Sequence, residues 1–110
     1  MANTFTRKTS QNIGATATQI GAYTVAASTT TIAIGLTCTN TTGSAIAANV
    51  FLANATANTY IVVNAPITAG ASLIPIGGDQ KIVLITGDKI YVQSSAATSI
   101  DAILSIMEIT

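Results

Sequence analysis

The fold of this chain is decided in residues 81–93, whose sequence is KIVLITGDKIYVQ. Two short apolar runs, residues 81–85 and 89–93, flank the tripeptide Thr86-Gly87-Asp88, which is typical of a tight turn. Runs of this length are too short for ordinary helices, and Val, Ile and Tyr favour strands. The stretch therefore predicts two strands separated by a turn.

The same pattern of apolar alternation and turn residues continues on both sides of this stretch. Seven or eight strands with a turn every 8–12 residues are typical of a β-sandwich or small barrel. We expect an all-β chain with a single β-sandwich of seven or eight strands, jelly-roll-like or immunoglobulin-like. The remaining strands are predicted at residues 21–25, 31–39, 46–53, 60–63, 72–76 and 100–109, with turns at 41–44, 54–58 and 77–79.

The period of two also predicts which side chains form the core. Ile32, Ile34, Leu36 and Cys38 would share one strand face. The single cysteine is then a small buried side chain, not a reactive thiol. The predicted core consists of Ile32, Ile34, Leu36, Val50, Leu52, Val62, Leu84, Ile90, Val92 and Leu104.

The first twenty residues differ from the rest, because residues 3–19 are polar, rich in Thr and nearly free of large apolar side chains. Such a segment buries too little to offset its own ordering entropy. We expect residues 1–20 to be an extended N-terminal arm and residues 21–110 to be the β-sandwich domain. An extended arm can add a strand to a neighbour's sheet edge. Its candidate partner-binding residues are Phe5, Arg7, Lys8, Ile13 and Ile20.

The chain is poor in charge, with four basic and four acidic side chains in 110 residues and no net charge. An ordinary soluble domain devotes about a quarter of its residues to charge. Depletion of charge is a feature of the buried centre of a protein–protein interface. The composition therefore favours a building block that associates with copies of itself.

The same composition argues against an enzyme. The chain has no His and one Cys, and its Asp79 and Asp88 each follow a glycine in a predicted turn. We find no paired carboxylates, no activated nucleophile, no metal-ligand spacing and no phosphate-binding glycine loop. We therefore expect no catalytic residues, no metal-binding or cofactor-binding residues, and no cofactor. The balanced charge also predicts no nucleic-acid partner. Without a transmembrane or signal segment we expect no membrane partner and synthesis in a reducing cytoplasm.

An ordered series of motifs runs through the C-terminal half: Pro66-Ile67-Thr68-Ala69-Gly70-Ala71-Ser72-Leu73, then residues 81–92, and finally Ser105-Ile106-Met107-Glu108-Ile109. With this series, residues 28–110 resemble a group of small tailed-bacteriophage virion proteins. The resemblance implies a β-sandwich virion component, made in the cytoplasm of the bacterial host, with no catalytic motif. The N-terminal segment lies outside it.

Together, these features predict a non-enzymatic structural protein of a bacteriophage virion. The leading hypothesis is an oligomeric capsid cement or decoration protein, favoured as a trimer, that contacts the major capsid protein or other virion proteins and stabilises the head shell. A neck or tail-associated virion protein is the alternative within the structural class. A carbohydrate- or receptor-binding module using Tyr23, Tyr60 or Tyr91 is the alternative from another class.

Overall fold

The computed structural model describes residues 2–54, 57–77 and 79–110. Within those ranges the chain is all-β, with nine strands and one short 3₁₀ helix at Ile20–Ala22. The strands are β1 (Asn3–Ile13), β2 (Thr18–Gln19), β3 (Thr30–Asn40), β4 (Ile46–Ala53), β5 (Asn58–Ile67), β6 (Ser72–Ile76), β7 (Ile82–Leu84), β8 (Lys89–Ser94) and β9 (Ile100–Ile109).

The strands form two antiparallel sheets that pack as a sandwich. The first sheet has five strands in the order β1-β9-β3-β6, with β7 also paired to β3. The second sheet has four strands in the order β2-β8-β4-β5. If β6 and β7 are counted as one interrupted strand beside β3, the eight strands have the connectivity of a jelly roll, one of the two sandwich types that the sequence predicts.

The core lies between the two sheets and is built from both. The first sheet contributes residues such as Leu36 and Leu104, and the second contributes residues such as Val50 and Val92, all with at most 1% of their surface exposed. Of the predicted core, Leu36, Val50, Leu84, Ile90, Val92 and Leu104 are buried, while Leu52 and Val62 are partly buried against it. The predicted burial of Cys38 is confirmed.

The prediction was wrong for Ile32 and Ile34, which are only partly buried. The cause is an irregularity in the pairing of β3 with β9, where the register shifts between Ala33 and Gly35. A bulge of one residue exchanges the two faces of a strand. Ala33 faces the core before the shift and Leu36 faces it afterwards. Ile32 precedes the shift and Ile34 lies within it, and both are turned to the other side.

The N-terminal third also differs from the sequence prediction. Residues 3–13 form β1 of the first sheet and Ile20 lies in the core, so the expected division at residue 20 does not coincide with a break in the packing. How this segment behaves between copies of the chain stays a prediction. The predicted strand at residues 21–25 is absent, because Gly21 and Ala22 have φ of 59° and 52°, which no extended strand accommodates. The predicted turns at 54–58 and 77–79 fall partly outside the described residues.

Candidate assembly surface

The five residues predicted to contact a partner occupy different environments. Phe5 and Arg7 are exposed on β1, and 72% of the Phe5 surface is accessible. Lys8 is half-buried on the opposite side of that strand. Ile13 and Ile20 are each 1% exposed and belong to the chain's own core, and their role toward a partner stays a prediction.

A continuous row of apolar side chains crosses the outer face of the first sheet. Phe5 lies opposite Met107, Met107 lies opposite Ile32, and Ile32 lies opposite Val83. Directly opposed residues of neighbouring strands point to the same side of a sheet and lie within contact distance. The four side chains therefore form one band across β1, β9, β3 and β7, which we call the apolar row. Val83 at its far end is 60% exposed.

Further large apolar side chains extend this face. Ile103 is 48% exposed on β9, Ile74 is 63% exposed on β6, and Ile85 directly after β7 is 63% exposed. Among the described residues, the exposed large hydrophobic side chains outside this region are Tyr60 and Val63, both on β5. Exposed apolar surface is thus concentrated on the first sheet.

The bulge in β3 coincides with an uneven region on the outer face of the first sheet. Gly35 is paired with Ser105, and Ile34 is the extra residue of the bulge, without a partner on β9. An open depression of about 390 Å³ lies there, lined by Phe5, Thr6, Arg7, Ile34, Ser105 and Ile106. Its size suits one or two side chains of a partner molecule.

The charged side chains Arg7 and Asp101 lie on this face, while Glu108 is turned away from it. The Tyr23 hydroxyl donates a hydrogen bond of 2.8 Å to Oε2 of Glu108 and shares one of 2.7 Å with the hydroxyl of the buried Thr31. Burial raises the pKa of Tyr23, the bond with Thr31 opposes this, and the bond and charge of Glu108 add to it. Of the acidic residues on β9, only Asp101 remains toward the outside, where its Oδ1 accepts a hydrogen bond from the Asn12 backbone.

The other two tyrosines lie on the opposite side of the molecule. Tyr60 and Tyr91 flank Phe51, with ring centroids 5.0 and 5.2 Å from it, and the Tyr91 ring is parallel to that of Phe51. Because this stacking covers Phe51 to 6% exposure, most of the ring faces are occupied by one another. Of the three tyrosines, Tyr60 is 50% exposed, Tyr91 is partly buried and Tyr23 is buried.

The acidic and thiol side chains that could take part in a reaction have structural roles or are not close to one another. Asp88 is buried in the turn between β7 and β8, where its Oδ2 accepts a hydrogen bond from the Ile85 backbone. Burial raises the pKa of the Cys38 thiol to about 12. In the part of the chain that the structure describes, no three metal-ligating side chains come together, and no helix is long and apolar enough to cross a membrane.

No protein-family model matches the chain, and no curated protein does. Several solved structures share its fold, among them the following two. The first is a Bacillus protein from a structure described as "Bacillus endospore appendages form a novel family of disulfide-linked pili"; it has 17% identity and a TM-score of 0.54 over 100% of this chain and 91% of the other. The second is a chain of infectious bursal disease virus, Gx strain, with 14% identity and a TM-score of 0.55 over 96% of this chain. This chain spans only 32% of that viral chain.

Proposed function

We propose that this protein is a non-enzymatic structural subunit that assembles with copies of itself. The observation that carries the proposal is the apolar row, which leaves Phe5 and Val83 largely exposed at the two ends of one sheet face. A second copy is the partner that this surface fits, because the face is apolar and the whole chain has no net charge. Two such faces can bury their apolar rows against each other, provided that Arg7 on the same face stays at the hydrated rim or is paired.

The dimensions of the face support an interface of ordinary size. The ten residues of β9 span roughly 33 Å, and four neighbouring strands at about 4.8 Å each span roughly 19 Å. The area of the face is therefore about 600 Å² before the uneven surface of the side chains is added. This approaches the roughly 800 Å² that each partner buries in a standard stable interface.

The setting that we propose is a bacteriophage virion, in which the subunit is a capsid cement or decoration protein. This rests on the resemblance of residues 28–110 to small tailed-phage virion proteins, and the jelly-roll fold agrees with it. The proposed form is a trimer seated on the major capsid protein. A neck or tail position is the alternative, and copy number in a purified particle separates the two, since a shell protein is present in far more copies than a neck protein.

The proposed assembly is non-covalent, unlike the pili that the Bacillus structure describes as disulfide-linked. Cys38 is the chain's single cysteine and is fully buried. A thiol with a pKa near 12 is almost entirely protonated at neutral pH and is a poor partner for disulfide exchange. Association should therefore be unaffected by reducing agents.

The test is a matched pair of lysine substitutions, Val83→Lys and Val63→Lys. Both valines lie on strands and are 60% exposed, but only Val83 belongs to the apolar row. A buried ammonium costs free energy unless it is paired, so Val83→Lys should raise the dissociation constant of the oligomer at least about tenfold, or ~1.4 kcal/mol. Val63→Lys should leave the dissociation constant unchanged.

Sedimentation equilibrium measures both variants, with circular dichroism to show that each is folded. If both substitutions raise the dissociation constant equally, or if neither raises it, the assignment of the interface to the first sheet is contradicted.

A further inference from the structure

The side of β1 that faces the sandwich is polar. Thr6 lies opposite Ile106, and Ser10 lies opposite Ala102, two core residues of β9. Lys8 is between them on the same side and is half-buried. From Asn3 to Ser10 the strand therefore adds no large apolar side chain to the core, and main-chain pairing with β9 is its principal attachment.

Two side-chain contacts supplement that pairing. The Lys8 ammonium lies 5.4 Å from the centre of the Tyr23 ring, and the Ser10 hydroxyl accepts a hydrogen bond of 2.8 Å from the Gly21 backbone. Each is worth about 1 kcal/mol or less at such partly exposed positions. Any copy of the chain offers the same contacts and the same β9 edge, so a strand that moves from one copy to another loses none of them.

The way in which β1 is attached to the rest of the sandwich changes at residues 11–12. Pairing with β9 is interrupted between Ser10 and Ile13, and Asn12 has a φ of 57°, uncommon for a residue other than glycine. Ile13 beyond this point is anchored, because it lies in the core and its carbonyl accepts a hydrogen bond from the Ser99 backbone. Residues 2–10 can therefore leave the sheet as a unit while the rest of the sandwich stays in place.

We propose that residues 2–10 are exchanged between copies in the assembly, so that β1 of one copy pairs with β9 of the next in the same register. This inference rests on the proposed self-assembly and specifies how the copies are joined. Exchange of an identical element is a low-cost route to oligomers, since every pairing lost in one copy is regained in its neighbour. It also places Phe5 of one copy against Met107 of another, which continues the apolar row from subunit to subunit.

The experiment uses cysteine pairs that can meet only if β1 is exchanged. Ser10→Cys and Ala102→Cys are made in separate chains of different mass, mixed in denaturant, refolded together and oxidised. Residues 10 and 102 lie directly opposite each other on the inner side of the sheet, at a separation that a disulfide can bridge. Contact between outer faces cannot bring them together. Exchange predicts a major disulfide-linked heterodimer.

Two controls make the result interpretable. The double variant carrying both cysteines in one chain must form a disulfide, which shows that the geometry is suitable and the protein folds. Lys8→Cys mixed with Ala102→Cys is displaced by two residues from the observed register and should give little heterodimer. The pair Thr6→Cys and Ile106→Cys, also directly opposed on the inner side of the sheet, provides a second measurement in the same register.

The proposal is overturned if the double variants close their disulfides but neither mixed pair cross-links in samples that sediment as oligomers. In that case self-association would stand and exchange would fail. A chain that sediments as a monomer would overturn both.

Discussion

Asn40 at the end of β3 provides the sharpest test of the packing. Its side chain is fully buried, and Nδ2 donates to the carbonyl oxygens of Ser44, Ile67 and Thr68 at 2.8, 3.0 and 3.2 Å. Its Oδ1 accepts hydrogen bonds from the backbone and the hydroxyl of Thr42. One amide therefore connects the turn between β3 and β4 with the end of β5, across the two sheets.

We expect Asn40→Ala to lower the free energy of unfolding by about 3–5 kcal/mol. An amide has two hydrogens, so at most two strong donations and two acceptances hold at once, each with a net contribution of about 1 kcal/mol. The Ile67 carbonyl, buried beside this side chain, adds the cost of an unsatisfied acceptor, about 1 kcal/mol or more. The loss would be a large part of the ~5–15 kcal/mol typical of a domain.

The assay is urea unfolding followed by far-ultraviolet circular dichroism, since the chain has no tryptophan. Asn40→Asp keeps the size and the acceptor oxygens but loses the donors, so it should destabilise the protein to a similar extent. Asn58→Ala, at an exposed position of β5, should change stability by less than about 0.5 kcal/mol. A loss below about 1 kcal/mol for Asn40→Ala would refute the assigned hydrogen-bond network.

Three further outcomes follow from the core and from β1. Leu84→Ala should lower the free energy of unfolding by about 2–5 kcal/mol because it leaves a cavity, while Val83→Ala next to it should lower it little in a monomeric sample. Equal unfolding midpoints for the two variants would contradict the burial of Leu84. The raised pKa of Cys38 means that its thiol is neutral in the folded state well above the pH at which it ionises when unfolded. Stability relative to Cys38→Ala should therefore be constant below about pH 9 and fall between pH 9 and about 12, by ~1.4 kcal/mol per pH unit, and parallel unfolding curves across that range would contradict this. A Cβ atom at Gly21, where φ is 59°, would lie 2.6 Å from Cβ of Lys8, so Gly21→Ala should destabilise the protein by more than about 1 kcal/mol in thermal unfolding, and an unchanged melting temperature would show that β1 does not pack there.

The alternating sequence pattern was sufficient to locate most of the strands. Residues 72–76 and 100–109 are β6 and β9 as predicted, and the turn at Gly87-Asp88 lies between β7 and β8. The faces of β3 could not be predicted, because a bulge depends on pairing with a strand some seventy residues away. A one-residue shift is invisible to any local pattern.

The candidate surface was predicted only in part. Phe5 was a candidate from the sequence, but the other members of the apolar row emerge only from the register of four strands. One local signal does point to them: Ile82-Val83-Leu84-Ile85 is apolar on both faces of the strand. Such a run is typical of a strand that is covered on both sides. Of these four residues only Leu84 is buried in the single chain, and Val83 and Ile85 on the other face are exposed.

The pairing of the N-terminal segment with β9 could not be predicted from the sequence, because its own composition gives no reason to order. The polar residues of β1 are held by a ladder of main-chain pairs whose partner, β9, lies at the other end of the chain. Side-chain hydrophobicity carries no information on such pairing, since every residue except proline offers the same donor and acceptor.

Sedimentation velocity of the unmodified protein tests the central claim most directly, over a wide concentration range at ionic strengths of roughly 0.1 M and 1 M. Between these two conditions the screening length falls from about 10 Å to about 3 Å. Assembly through an apolar face and exchanged strands predicts oligomers whose population rises with concentration and is not reduced by salt. A monomer at every concentration, or an oligomer that dissociates at the higher ionic strength, would contradict it.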